Sequence, residues 1–194
     1  MKNLLILFLS SLILFSFSGR EASLDKKFAD EAFVYLNAVR QNPGNYTKEI
    51  GNFMKNVKAK PALKWNDTLA KIAETKALDM ARNDYFDHID KKGYGINYYI
   101  NKAGYKLPKE WLEKKSDNYF ESIGNNYQTG EEAIISLIID EGVPGVGHRK
   151  HLLGIDNFYE KNVDIGIAQA VVGNSEEEGF KETYTCIIIA RHSW

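Results

Sequence analysis

Two imidazoles and a carboxylate, far apart in the sequence, are of the types that assemble polar sites. They are His88 in Phe86-Asp87-His88, Glu121 in Phe120-Glu121-Ser122-Ile123-Gly124, and His148 in Gly147-His148-Arg149-Lys150-His151-Leu152-Leu153. Neutral imidazoles with one or two carboxylates make a site for a divalent cation such as zinc, with a position left open for water. The same groups can instead form a polar cluster in which carboxylates hydrogen-bond the imidazoles and tie loops together. The chain has no His-Glu-x-x-His pair and no Gly-x-Ser-x-Gly elbow, the signatures of a helix-borne zinc protease and of an α/β-hydrolase. Ser122 stands beside Glu121, and His148 could approach it after folding, which keeps an acid-base hydrolase as the alternative.

The neighbouring residues have blander readings. His151, three positions after His148 on one short helical turn, is assigned a surface or packing role, with membership of the site as the alternative. His192, beside Arg191, is expected to be exposed and without a role. Arg149 is expected to pair with Asp156 or Asp140 and hold its loop. Tyr94, Tyr98, Tyr99, Tyr105 and Trp111 read as packing, or as an apolar wall if they gather beside a cleft. Cys186 is the only cysteine, so no internal disulfide exists. It lies in the β-branched run Thr185-Cys186-Ile187-Ile188-Ile189, where it reads as a small buried hydrophobe.

Several elements must position these groups. Phe28, Ala32, Phe33, Leu36 and Val39 recur at helical spacing between Ser23 and Arg40, and Asn42-Pro43-Gly44 stops the pattern. A short helix is expected around 47–57. Asn66 or Asp67 caps a second helix with the stripe Leu69, Ile72, Ala73, Ala77, Met80 and Ala81, ending near Tyr85, so that His88 falls in the loop just beyond. A shorter helix is expected over 94–103, then a long loop over 105–120 that delivers Glu121. Thr129-Gly130-Glu131-Glu132 reads as a capping box opening a helix over 131–140, apolar nearly all round and therefore central. The Gly/Pro-rich turn 142–147 presents His148 on a short helical segment ending at Gly154. Strands over 163–172 and 183–191 follow, joined by an acidic loop with Glu176, Glu177 and Glu178.

Compartment and partners are constrained by composition. Lys2 followed by the apolar run Leu4–Phe17, with small residues Ser16, Ser18 and Gly19, reads as a signal peptide over 1–18, cleaved near 18–20. The run is shorter than the ~20 residues of a spanning helix, so no transmembrane anchor is expected. Cleavage removes one of the 25 basic residues against 26 acidic ones. That near-neutral balance, with no lysine or arginine run interleaved with aromatics, excludes nucleic acid as the expected partner. About 175 residues remain, one domain's worth.

The ordered set of Trp65-Asn66-Asp67-Leu69-Ala70, His88, Glu121-Ser122-Ile123-Gly124, Gly147-His148-Arg149-Lys150-His151-Leu152-Leu153-Gly154 and Val163-Asp164-Ile165-Gly166-Ile167 resembles the CAP superfamily. This superfamily comprises the cysteine-rich secretory proteins, venom antigens, plant pathogenesis-related proteins and their secreted bacterial relatives. The resemblance spans residues 25–194. It implies an α+β fold, a single-domain three-layer α-β-α sandwich, with a central cleft holding two histidines and two acids. His88 matches the first histidine, Glu121 the acid of the family's Gly-Glu-Asn element, and His148 the histidine of its Gly-His-Arg element. The second acid is Asp140 or Glu141, with Asp140 preferred. Phe120 and Ser122 replace the family's Gly and Asn, and His151 stands where bacterial members often carry Asn. The implied function is a secreted, extracellular or periplasmic binding module. Its cleft would take a cation (His88, Glu121 and His148 as ligands), a lipid-like molecule, a cell-envelope component or a protein partner. A metal-dependent or acid-base hydrolase using the same three residues is the alternative.

Overall fold

Two isoleucine-rich strands set the architecture. The computed structural model describes residues 20–173 and 181–192; the expected signal peptide and the acidic loop at 176–178 lie outside them. Strands β4 (Asp164–Val172) and β5 (Thr183–Ala190) pair antiparallel and are buried almost throughout. Period-2 alternation sends Ile165, Ile167, Ile187 and Ile189 into one core and Ala168, Ala170, Cys186, Ile188 and Ala190 into the other. A sheet covered on both faces explains why these strands read as apolar runs rather than as alternation.

Five strands make the sheet. β3 (Glu121–Asn125) pairs antiparallel with β5, and β1 (Ala22–Leu24) pairs antiparallel with one end of β4, giving the order β1-β4-β5-β3. β2 (Lys64–Trp65) pairs parallel with the other end of β4. Ala22–Leu24 is strand rather than the opening of the first helix, which begins at Lys26.

Helices α1 (Lys26–Gln41) and α4 (Gly130–Ile139) cover one face together with α5 (Gly147–Leu153), while α2 (Asp67–Asn83) and α3 (Ile96–Lys102) cover the other. This is the expected three-layer α-β-α sandwich. Each long helix starts at a side-chain cap: Asp25 accepts from the Phe28 amide, Asn66 from Leu69 and Thr129 from Glu132, at 3.0–3.1 Å. The expected capping box is only half reciprocal, because Glu132 reaches back to the amide of Gln128, one residue before the cap. α4 buries Ala133, Ile134, Leu137 and Ile138 but exposes Ser136, so it is an outer layer rather than a central element. The helix expected around 47–57 is a 3-10 turn over Asn52–Asn56.

Close approach of backbone is the other positioning device. A Cβ on Gly166 of β4 would lie 2.1 Å from the Ala70 nitrogen of α2, and one on Gly130 would lie 2.4 Å from the Ala32 nitrogen of α1. α2 therefore sits directly on the sheet, and α4 directly on α1.

Candidate functional site

His88 owes its position to the end of α2. Asp84 closes that helix in the left-handed conformation, and the chain turns through Tyr85–Asp87 into His88. Lys76, 6% exposed within α2, pins the turn. Its Nζ donates to the carbonyls of Asp87 (2.6 Å) and His88 (3.3 Å) and to the Tyr85 hydroxyl (3.4 Å). Sequence reasoning misses Lys76 although it carries a signal: it stands four residues from both Ile72 and Met80, on the apolar stripe, where a lysine must find internal partners.

Glu121 opens β3, directly after the segment read as a loop. Its side chain is fully buried, and Oε2 lies 2.8 Å from His88 Nδ1. Asn118 Nδ2 approaches the same oxygen at 3.5 Å, and the Cys186 thiol donates to Oε1 across 3.6 Å. Burial first, then the Glu121 charge, pushes the Cys186 thiol well up. The sulfur therefore stays protonated and serves as a donor, not a nucleophile.

Asp140 follows the last turn of α4 in the left-handed conformation, φ +53°, which turns its carboxylate onto the N-terminus of α5. Oδ2 accepts from the His148 amide (3.0 Å) and the Arg149 amide (3.3 Å), and Oδ1 lies 2.7 Å from His148 Nδ1. Of the two candidate acids, Asp140 makes this contact, while Glu141 is exposed. The intervening turn is strained. Gly142 and Gly145 take positive φ without penalty, but Val146, β-branched, is held at φ +48° one residue before α5. Among the described residues, the Arg149 side chain forms no ion pair with an acid. Its Nε and Nη2 donate to the carbonyls of Ile138 and Ile139, and its guanidinium stacks on Phe53 at 3.9 Å. A cation on the carbonyl end of α4 is favoured by the helix dipole as well as by the bonds. Asp156 instead accepts from the amides of Phe158 and Tyr159.

The two halves face one another. The rings of His88 and His148 lie 6.4 Å apart between centroids, tilted by 33°, with side chains 40% and 21% exposed over carboxylates that are 0% and 1% exposed. A carboxylate can only accept, so each Nδ1 carries a hydrogen, and in the neutral ring the lone pair is left on Nε2. The geometry thus presents two basic nitrogens, each ring oriented by a buried acid. Among the described residues, no three or more His, Cys, Asp or Glu side chains converge as a metal-holding group.

The remaining candidates lie elsewhere. His151 is buried beneath the site, its Nδ1 2.8 Å from Ser122 Oγ and its Nε2 3.1 Å from the Ile189 carbonyl. The carbonyl fixes the hydrogen on Nε2, and Nδ1 accepts from the serine. Ser122 is therefore bonded to His151, not His148, and both are shut away from solvent. Burial lowers the His151 pKa to about 4. A histidine that ionises near 6.5 when unfolded and near 4 when folded binds its proton preferentially in the unfolded state. Stability from keeping His151 neutral is complete above pH 6.5 and falls as pH drops from there to about 4. The expected loss is about 1.4 kcal/mol per pH unit, about 3 kcal/mol over the window. Chemical denaturation across that range should show the slope in the parent protein and a flatter one in His151→Gln; equal slopes would contradict the assignment.

His192 is not idle at the surface. Its Nε2 lies 3.0 Å from Asp164 Oδ2, which also accepts from the Tyr105 hydroxyl at 2.8 Å, and its ring stacks on Tyr105. Of the other expected aromatics, Tyr94 stacks on Tyr98, Tyr99 meets both edge-on, and Trp111 packs on Phe120 and Phe158. None makes a ring contact with His88 or His148.

A three-layer sandwich that sets two acid-backed histidines opposite one another agrees with the expected CAP-type domain. The family profile described as the Cysteine-rich secretory protein family matches residues 34–188, and the chain belongs to that family. Among solved structures, the chain is similar to an extracellular protein containing an SCP domain from Bacillus anthracis str. Ames, at 18% identity and a TM-score of 0.50. The match covers 82% of this chain and 39% of that protein, so the chain spans about two-fifths of its length. No curated protein matches the sequence. No helix among the described residues is long and apolar enough to cross a membrane.

Proposed function

We propose that this chain is an exported CAP binding module whose cleft takes a divalent cation, zinc being the borderline-soft ion that suits imidazole. The observation that carries the reading is the pair of rings 6.4 Å apart, each with Nδ1 on a buried carboxylate. Backing of an imidazole by a carboxylate is the arrangement typical of metal-ligating histidines, since it fixes the tautomer and raises the basicity of the free nitrogen. In this reading His88 and His148 are the ligands and Glu121 and Asp140 support them from behind; Glu121 does not itself ligate. The bound cation would supply a Lewis-acidic position open to water or to an anionic group of a cell-envelope component. Export rests on the apolar leader read from residues 1–18.

A hydrolase would need an activated nucleophile at the cleft. Ser122 and Cys186 are both fully buried, the first bonded to His151 and the second to Glu121, which favours the binding reading. Calorimetric titration of metal-free protein with zinc near pH 7.5 tests it. Micromolar or tighter one-to-one binding, lost in both His88→Ala and His148→Ala, is the expected result. No binding by the parent protein, or affinity unchanged in either variant, would overturn the proposal.

A further inference from the structure

A groove of about 960 Å3 runs between α2 and α3 and is also lined by residues 90–92. None of His88, Glu121, Asp140 and His148 lines it. Its volume falls at the upper end of the roughly 300–1,000 Å3 that sites for small organic molecules enclose. The apolar part of its lining comes from Ile72, Ile96, Tyr99 and Ala103, the two isoleucines being buried.

Charge around this apolar lining is not balanced. Five lysines line the groove against three aspartates, Asp67, Asp79 and Asp90. Each aspartate already accepts from the chain itself. Asp67 takes the Trp65 indole N–H at 3.1 Å. Asp79 takes the Asn83 amide and the Tyr85 hydroxyl. Asp90 takes the amides of Lys92 and Tyr94, both at 2.8 Å, and the Tyr99 hydroxyl. Three of the lysines are likewise engaged: Lys71 with Glu74, Lys76 with the carbonyls beneath His88, and Lys91 with the Asn83 carbonyl. Lys92 and Lys102 are exposed, and among the described residues neither enters an ion pair. Lys102 only lies over the Tyr98 ring, at 5.6 Å.

The geometry points to a second ligand site in this groove, for a small amphipathic organic anion. Its apolar body lies along Ile72, Ile96 and Tyr99, and its acidic group meets Lys92 and Lys102. The apolar lining supplies the burial that drives entry. The two ammonium groups that enter no ion pair, in a lining with five lysines against three aspartates, supply the preference for negative charge over a neutral molecule of the same shape. Lys76 contributes to both the groove wall and the His88 turn, so the groove shares a boundary with the cleft without sharing its residues.

Two dyes with the same aromatic body provide the test: 8-anilinonaphthalene-1-sulfonate, which carries a sulfonate, and N-phenyl-1-naphthylamine, which does not. Fluorescence titration of the purified protein should give saturable one-to-one binding of the sulfonate, at least tenfold tighter than of the neutral dye. The double variant Lys92→Glu with Lys102→Glu should weaken sulfonate binding at least tenfold while leaving the neutral dye within twofold. Thr75→Trp, which fills the groove from an exposed position on α2, should abolish binding of both. Near-UV circular dichroism confirms that the variants keep their packing. Equal affinity for the two dyes, no saturable binding, or sulfonate affinity unchanged in either the folded double variant or the folded Thr75→Trp variant would overturn the site. No zinc enters the experiment, so its failure leaves the reading of the cleft standing.

Discussion

Asp140→Ala is expected to lower stability by about 3 kcal/mol and to abolish zinc binding. The carboxylate is 1% exposed and serves three donors at once: the amides of His148 and Arg149 and the His148 ring. Alanine leaves those donors in a site where water replaces the lost acceptor poorly, and each unsatisfied buried group costs about 1–3 kcal/mol. Alanine also tolerates the left-handed conformation less well than aspartate does. Asp140→Asn separates structure from chemistry. Its side-chain oxygen can still accept from the two amides, so most of the stability should remain. Its amide group, however, turns a donor toward His148 Nδ1, which must then accept, moving the ring hydrogen to Nε2 and removing the lone pair that would hold the cation. Zinc affinity should fall at least tenfold with the melting temperature nearly kept. Full affinity in Asp140→Asn would show that the tautomer is not set by this contact.

The second large effect is expected far from the cleft. Gly166→Ala should cost about 3 kcal/mol or more, a large share of the 5–15 kcal/mol that stabilises a typical domain. The added methyl meets backbone, 2.1 Å from the Ala70 nitrogen and 2.3 Å from the Leu69 carbonyl carbon, and a helix seated on a sheet cannot yield locally as a flexible side chain can. The whole of α2 must shift, and with it Lys76 and the His88 turn. Gly44→Ala is the control, since nothing lies within 4 Å of the added Cβ, and it should change stability by less than about 0.5 kcal/mol. Urea unfolding of the three proteins decides the matter; equal midpoints would mean that α2 is not fixed by contact with Gly166.

The parts of this fold legible in the sequence are those specified by local pattern. α1, α2 and α4 announce themselves by spacing and by the caps Asn66 and Thr129, and β4 and β5 by their isoleucines. β3 does not. Glu121-Ser122-Ile123-Gly124-Asn125 has one aliphatic residue and no alternation, and it becomes a strand only through its distant partners in β5, Tyr184 to Ile188. The same holds for β1 and β2, which are two or three residues long and defined by their pairing with β4.

The site divides in the same way. His88, Glu121 and His148 can be singled out as isolated polar residues in loop-like contexts, whereas the roles of their neighbours depend on distances that the sequence does not encode. Charge complementarity, the simplest pairing, sends Arg149 to an acid, yet its side chain donates to the carbonyls that close α4. A place near the chain end suggests exposure for His192, but pairing of β5 with β4 carries it to Asp164 and Tyr105. His151 shows the opposite case: one turn along α5 from His148, its ring points inward to Ser122 and the Ile189 carbonyl.

The central claim is that the buried acids hold both cleft imidazoles as Nδ1–H tautomers so that two Nε2 lone pairs share one cation. Long-range proton–nitrogen correlation spectra of the nitrogen-15-labelled protein, recorded above pH 7 before and after one equivalent of zinc, read this directly. The account predicts that His88 and His148 both show the Nδ1–H pattern without metal, and that the Nε2 resonances of both, and of no other histidine, move on zinc addition. Nε2–H tautomers at either ring, or zinc shifts confined to one of them, would contradict it.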